Sequence, residues 1–163
     1  MYEPKPAFIE RMKELLPDEK DFQNYLESLK TIPPISIRCN ILKISPENLK
    51  KRLEEKCWKI SHPFKNYPEI MIIESKLLPG ELGKSLEHQL GFFYVQEISS
   101  MLSIIALQPK SEEIILDLCA SPGSKTTQAA SFMRNTGTII ANDKTIDRIQ
   151  ILAANLERCG VSN

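Results

Sequence analysis

Three stretches make this chain α/β. Ile114-Ile115-Leu116 is a short apolar run that suits a strand covered on both faces, Lys125–Met133 reads as a helix, and Thr138–Ala141 follows the break at Gly137 as a second strand. Strand, tight loop, helix and strand in that order form the start of a doubly wound, Rossmann-like sheet. Ahead of it lies a strand–helix–strand–strand pattern, which predicts a small α+β domain. The expected division is N-terminal helices over residues 1–30, the small domain over 31–86, and the first part of the doubly wound domain over 87–163.

In chain order, Phe8, Met12, Leu15 and Leu16 recur at helical spacing, and Pro17-Asp18-Glu19 stops that helix and starts another, with Phe22, Tyr25, Leu26 and Leu29 on its apolar face. Thr31-Ile32-Pro33-Pro34 ends it. Ile35 to Leu42 alternates Ile35, Ile37, Cys39 and Ile41 with Ser36, Arg38 and Asn40, the pattern of a half-buried strand. Ser45-Pro46-Glu47 starts a helix that reaches about Cys57, with Leu49 and Leu53 on its core face. Trp58–Pro63 and Ile70–Ile73 are short strands, and Leu77-Leu78-Pro79-Gly80 is a turn. Gly91–Val95 reads as a short core strand. Gln96–Leu107 is an amphipathic helix with Ile98, Met101, Leu102, Ile105 and Ala106 inward. After Asn142-Asp143 the last helix presents Ile146, Ile149, Leu152, Ala153 and Leu156 to the sheet and is capped at Gly160.

Composition narrows the class. Lys plus Arg equals Asp plus Glu at 21 each, so net charge carries no nucleic-acid signal. No apolar run approaches the ~18 residues of a membrane span, and the N-terminus lacks a signal-peptide apolar region, so the expected location is cytoplasmic. Cys39, Cys57, Cys119 and Cys159 are scattered without a C-x-x-C or a nearby histidine, which argues for free thiols rather than zinc or disulfides. His62 and His88 are isolated and read as surface or loop residues.

The chemistry-bearing segment is Asp117–Thr126. A ligand of a doubly wound sheet binds beyond the carboxyl ends of its strands, where loop amides and a helix N-terminus face it. Ser121 and Ser124 are both candidate N-caps, Pro122 suits a first helical turn, and Gly123 lets a ligand approach backbone. A single glycine excludes the dinucleotide G-x-G-x-x-G, and Leu118 stands where a P-loop needs its first glycine. A ligand without a polyphosphate fits better, and S-adenosyl-L-methionine is one. Asp143, at the end of the second strand, is placed to accept from a ribose; its structural alternative is capping the helix after Lys144. Cys119 reads as a wall of the pocket before a nucleophile. Lys125 reaches either solvent or the carboxylate of the ligand.

At these residues a resemblance becomes specific. Leu116–Gln128 resembles the cofactor motif of the RsmB/RsmF-type (Nop2/Sun-type) RNA cytosine-C5 methyltransferases. Gly91–Leu102 resembles the segment just upstream in that family, Ala141-Asn142-Asp143 with Arg148 its second cofactor motif, and Arg38-Cys39-Asn40-Ile41-Leu42-Lys43 the Arg-x-Asn-x-x-Lys signature of its N-terminal RNA-binding domain. The resemblance implies an RRM-like small domain and a methyltransferase sheet. It implies S-adenosyl-L-methionine held by Cys119, Ala120, Ser121, Pro122, Gly123, Ser124, Lys125, Asp143 and Arg148, with RNA met by Arg38 and Lys43. It also implies two catalytic cysteines, both expected beyond Asn163, so no residue of these 163 is assigned to catalysis and none to a metal.

Nine Lys or Arg against three Glu between Lys30 and Lys65 suit an RNA backbone or, equally, a solvated helix face with i,i+4 pairs. The leading function is the front portion of an S-adenosylmethionine-dependent rRNA or tRNA cytosine-C5 methyltransferase, inactive alone. The alternative is a non-catalytic RNA-binding or split-enzyme subunit whose sheet is completed by a second chain. A small-molecule methyltransferase ranks below both, because the basic small domain argues against it.

Overall fold

The computed structural model describes residues 4–163 and divides into two compact units, one ending at Pro34 and one spanning Ile35–Asn163. The first unit is a helical pair. Helix α1 (Pro6–Leu15) begins with proline at its first turn, where no backbone donor is needed. Helix α2 (Glu19–Ser28) is capped by Asp18, which accepts from the Asp21 amide at 3.0 Å. Phe22 is buried with the Lys13 ammonium over its ring, and Phe8 meets Tyr25 in a tilted pair.

The second unit begins with an antiparallel sheet. Strands β1 (Ile35–Cys39), β2 (Ile60–Ser61), β3 (Ile70–Ile73) and β4 (Phe93–Val95) lie in the order β2-β3-β1-β4. Helix α3 (Pro46–Glu54) covers one face. Ser45 caps it by accepting from the Asn48 amide, and its fully buried Leu49 and Leu53 sit one turn apart, each contributing roughly 2 kcal/mol by burial. Ile37, Cys39, Trp58, Ile60, Met71, Ile73 and Phe93 complete that core. Two single-turn helices, α4 (Glu81–Lys84) and α5 (Leu86–Gln89), follow the turn at Leu77–Gly80.

Helix α6 (Ile98–Leu107) leads to a second sheet of two parallel strands, β5 (Ile114–Asp117) and β6 (Thr138–Ala141), joined through α7 (Ser124–Phe132). Helix α8 (Ile146–Cys159) ends at Gly160, whose left-handed backbone closes the cap. This is the strand–loop–helix–strand unit expected from the sequence, in a mixed α/β chain.

Several details correct the expectations. Strand β1 is not half-buried: its polar residues Ser36 and Arg38, and Asn40 just beyond it, are as enclosed as its apolar ones, because it is a central strand with protein on both faces. Strand β5 was expected to be covered on both faces, yet Ile114 and Leu116 are 76% and 58% exposed, with Ile140 of β6 beside them at 53%. With only two strands and helices on one side, nothing within these residues covers that face. In α6 it is Met101 and Ile104 that are buried, while Leu102 and Ala106 are exposed. In α8, Leu152 and Cys159 point inward while Ile146 and Ile149 do not.

Candidate cofactor site

The loop between β5 and α7 is fixed at both ends by its own polar residues. Asp117 accepts from the Cys119 amide at 3.3 Å through one oxygen and from the Thr126 hydroxyl at 2.7 Å through the other. The loop is also tied to the neighbouring strand, with the Ala120 amide donating to Asn142 O and the Asn142 amide to Asp117 O. The helix cap is Gly123, not Ser121 or Ser124, and Pro122 lies before the first turn. Gly123 has φ +105°, a left-handed backbone that favours glycine, and a Cβ there would lie a tight 3.1 Å from Leu152 Cδ1.

Asp143 and Arg148 form the second layer. Asp143 accepts from the Ser121 amide (2.9 Å), the Lys144 amide (2.8 Å) and Arg148 Nε (2.6 Å) and Nη2 (3.2 Å). Arg148 Nη2 also donates to Ser121 O at 2.7 Å. All four lone-pair positions of the carboxylate therefore hold a donor. The Arg148 guanidinium beside it, opposed by burial and helped by the two amides, brings its pKa down to about 2. The residue does not cap α8, whose N-cap is Thr145; it latches the loop to the end of β6.

Around the mouth, Cys119, Pro122 and Lys125 are exposed, Ser124 is half-buried, and Ala120, Ser121 and Gly123 are buried. Lys125 Nζ rests 3.1 Å from Ser100 Oγ. A cavity of about 290 Å³ runs along β5, lined by Asp117, Leu118, Lys125, Thr126, Ile104 and Leu107. Burial pushes the Cys39 thiol up to about 12 and raises that of Cys159, so both are inert packing residues.

Of the two residues expected at RNA, Arg38 faces inward, whereas Lys43 is exposed with its ammonium resting on backbone carbonyls. Arg38 is 2% exposed; its Nη1 donates to Gln96 Oε1 (2.6 Å) and Ser124 O (2.7 Å), and its Nη2 to Thr127 Oγ1 (2.8 Å). Lys43 Nζ donates to Leu90 O and Arg158 O, and Asn40 Nδ2 to Gly91 O and Cys159 O. The Arg-x-Asn-x-x-Lys segment thus joins the antiparallel sheet to α7 and α8. Of the other basic residues between Lys50 and Lys65, Lys51 and Lys65 are exposed and make no ion pair among the described residues, whereas Lys50, Arg52, Lys56 and Lys59 each meet a glutamate. Sequence reasoning missed Tyr94, Gln96, Thr126, Thr127 and Asn155, which bond to the loop or to Arg38. The one available signal was Gln96, an amide closing an aromatic run.

Fold and loop together define a mixed α/β protein with a glycine-bearing loop running from the end of a parallel strand into a helix. The family models make this specific. The N-terminal domain of 16S rRNA methyltransferase RsmF matches residues 5–98, more than half of the chain, and 16S rRNA methyltransferase RsmB/F matches residues 104–163. The chain belongs to the RsmB/F (Nop2/Sun) RNA 5-methylcytosine methyltransferase family. It is 41% identical over 160 residues to ribosomal RNA small subunit methyltransferase F of Vibrio campbellii, covering 96% of this chain and 33% of that one. The corresponding protein of Erwinia tasmaniensis is 42% identical over 163 residues, covering 97% and 34%. The chain therefore spans about a third of the length of the curated relatives it matches. Among solved structures, PH0851 superposes with a TM-score of 0.85 at 30% identity, covering 98% of this chain and 38% of that one. NSun6 from Pyrococcus horikoshii with SFG superposes with a TM-score of 0.85 at 21% identity, covering 98% and 64%, a likeness of fold.

Proposed function

We propose that these residues are the front portion of an S-adenosylmethionine-dependent methyltransferase acting on cytosine C5 of small-subunit ribosomal RNA in the cytoplasm. The observation that carries this reading is the Asp117–Thr126 loop, bound at both ends by Asp117 and Asp143 while Cys119, Pro122 and Lys125 face outward. The donor set fits the ligand. One glycine admits close approach, apolar walls suit an adenine, and the exposed Lys125 ammonium, held only by the Ser100 hydroxyl, suits an amino-acid carboxylate. When bound, S-adenosylmethionine supplies an electrophilic methyl group. Asp143 accepts from the ribose hydroxyls, which take the place of the half-exposed Arg148, and Ala120, Ser121, Gly123 and Ser124 shape the pocket floor. Cys119 is a wall, and the nucleophile and proton-removing cysteines belong to the part of the enzyme beyond these residues.

The parallel β5–β6 pair is the nucleus of a doubly wound sheet, and Ile114, Leu116, Leu118 and Ile140 await further elements. The proposed division stays at residues 1–30, 31–86 and 87–163, with β4 pairing back onto the small sheet across the last boundary. RNA lies along the basic small domain, at the exposed Lys43, Lys51 and Lys65 rather than at the buried Arg38. The same open apolar face supports a second reading, a split enzyme completed by another chain.

Calorimetric titration of S-adenosylmethionine into the parent and into Lys125→Ala and Asp143→Asn variants tests the site. Binding that both substitutions weaken by about tenfold supports it, one lost charge-assisted contact being of that size. No binding, or binding indifferent to both, refutes it. The intact mass of the natural protein separates the two readings. A mass well above 18.6 kDa favours one long enzyme, and a mass of 18.6 kDa favours the split form.

A further inference from the structure

The loop is held not only by its own strand ends but from behind, by the antiparallel sheet. Tyr94 on β4 donates its hydroxyl to Pro122 O at 3.0 Å, and Arg38 on β1 donates to Ser124 O at 2.7 Å. These two residues are paired across the strands. The Tyr94 ring lies between two guanidinium groups, with Arg38 5.6 Å and Arg158 5.5 Å from its centroid. Asn155 of α8 shares Pro122 O at 2.9 Å.

Arg38 is an expensive way to make a contact. Its charge is enclosed and meets only neutral oxygens, and its Nε has no partner. Burial brings its pKa down to about 10. An apolar side chain would fill the same space at lower cost, since isolated buried charge is penalised. Its planar fork does what an apolar residue cannot: one edge fixes Gln96, the Ser124 carbonyl and the Thr127 hydroxyl together. Because the peptide is planar, fixing the carbonyl of Ser124 fixes the N–H of Lys125, one of the helix-start donors that have no partner within the helix. Fixing the carbonyl of Pro122 sets the N–H of Gly123 in the same way, and that group closes the turn onto Ala120 O at 2.7 Å.

We propose that Arg38 and Tyr94 are positioning residues for the cofactor loop, holding the carbonyls of Ser124 and Pro122 so that the first turn of α7 presents its donors in one geometry. The antiparallel sheet is then part of the cofactor site's framework. This inference rests on the reading of the loop as the S-adenosylmethionine site.

The test is hydrogen exchange of the loop, followed by mass spectrometry on the longest natural chain carrying these residues, without ligand, for Tyr94→Phe, Arg38→Gln and Arg38→Lys. Trp58→Phe serves as the control. Trp58 lies in the same sheet's core and donates to Glu81 at 3.0 Å, away from the loop. Peptides over residues 119–126 should exchange about three- to tenfold faster in Tyr94→Phe and Arg38→Gln, the span of one lost hydrogen bond, with partial recovery in Arg38→Lys and none of this in Trp58→Phe. Tyr94→Phe removes only a hydroxyl, so folding is preserved. Unchanged loop exchange in it and in Arg38→Gln, or equal acceleration in Trp58→Phe, overturns the proposal. S-adenosylmethionine titration of the same proteins is read separately. A parent that fails to bind removes the cofactor reading, while the exchange result still decides whether these residues position the loop.

Discussion

Substituting Gly91 by alanine should be far more damaging than a single methyl suggests. Gly91 has φ +69°, and a Cβ there would lie 1.9 Å from Arg158 O and 2.7 Å from Arg158 C. Ordinary separation is ~3.5 Å, so the last turn of α8 must retreat by roughly 1.5 Å. That retreat breaks the bonds from Asn40 to Cys159 O and from Lys43 to Arg158 O, and it strains the Arg158 bond to His88 O. Left-handed backbone costs alanine ~1 kcal/mol, each neutral bond ~1 kcal/mol and the charged ones somewhat more, giving ~4 kcal/mol in all. For a protein of this size that lowers Tm by roughly 8–16 °C. Gly83 is the internal comparison: nothing lies within 4 Å of its added Cβ, and its φ is not positive. Gly83→Ala should be neutral or stabilising by up to ~1 kcal/mol. Urea unfolding and scanning calorimetry of both variants decide the matter. If Gly91→Ala matched Gly83→Ala, the grip of the antiparallel sheet on the end of α8 would be wrong.

Three further outcomes are expected. Asp143 has a folded pKa of about 2 against an ordinary 3.8, so its stabilisation is complete above the higher value and disappears as pH falls through the lower. The Tm gap between the parent and Asp143→Asn should therefore be constant from pH 5 to 8 and close toward pH 2; a gap that opens on acidification contradicts the assignment. Thiol labelling of the folded protein should modify Cys57 and Cys119 promptly and reach Cys39 and Cys159 only on unfolding, as exposure and the raised thiol pKa values of the buried pair require. Thr126→Val removes the 2.7 Å bond to Asp117 at constant shape and should cost ~1.5–3 kcal/mol by urea titration, an acceptor with charge being left behind; no loss would mean that Asp117 is satisfied by water.

The strand–loop–helix–strand unit was legible because its signals are local: a short apolar run, a glycine in a turn-forming loop, a break at Gly137. The α3 cap at Ser45 was readable for the same reason. What could not be read is where a polar side chain goes when it does not go to water. Alternation over Ile35–Leu42 is the pattern of a strand with one wet face, and it looks the same when the polar face is sealed against α7 and α8. The Arg-x-Asn-x-x-Lys resemblance assigns Arg38 to RNA, yet its partners are Gln96, the Ser124 carbonyl and the Thr127 hydroxyl, far along the chain. The uncovered face of β5 was hidden for the opposite reason: the apolar run Ile114-Ile115-Leu116 has the composition of a strand buried on both faces, while Ile114 and Leu116 are exposed here.

The grip of Asn40 on Cys159 spans 119 residues of sequence. At ribosomal speeds of roughly 5–20 residues per second, Asn40 is made about six to twenty-four seconds before its partner. From the synthesis of Phe93 onward the small sheet has its core residues but not the last acceptor for its buried face, so Asn40 keeps a hydrated donor on an unfinished surface until Cys159 arrives. Nascent-chain folding of this protein should be limited by the arrival of residue 159, and proteases should find the β1–β4 sheet open until then.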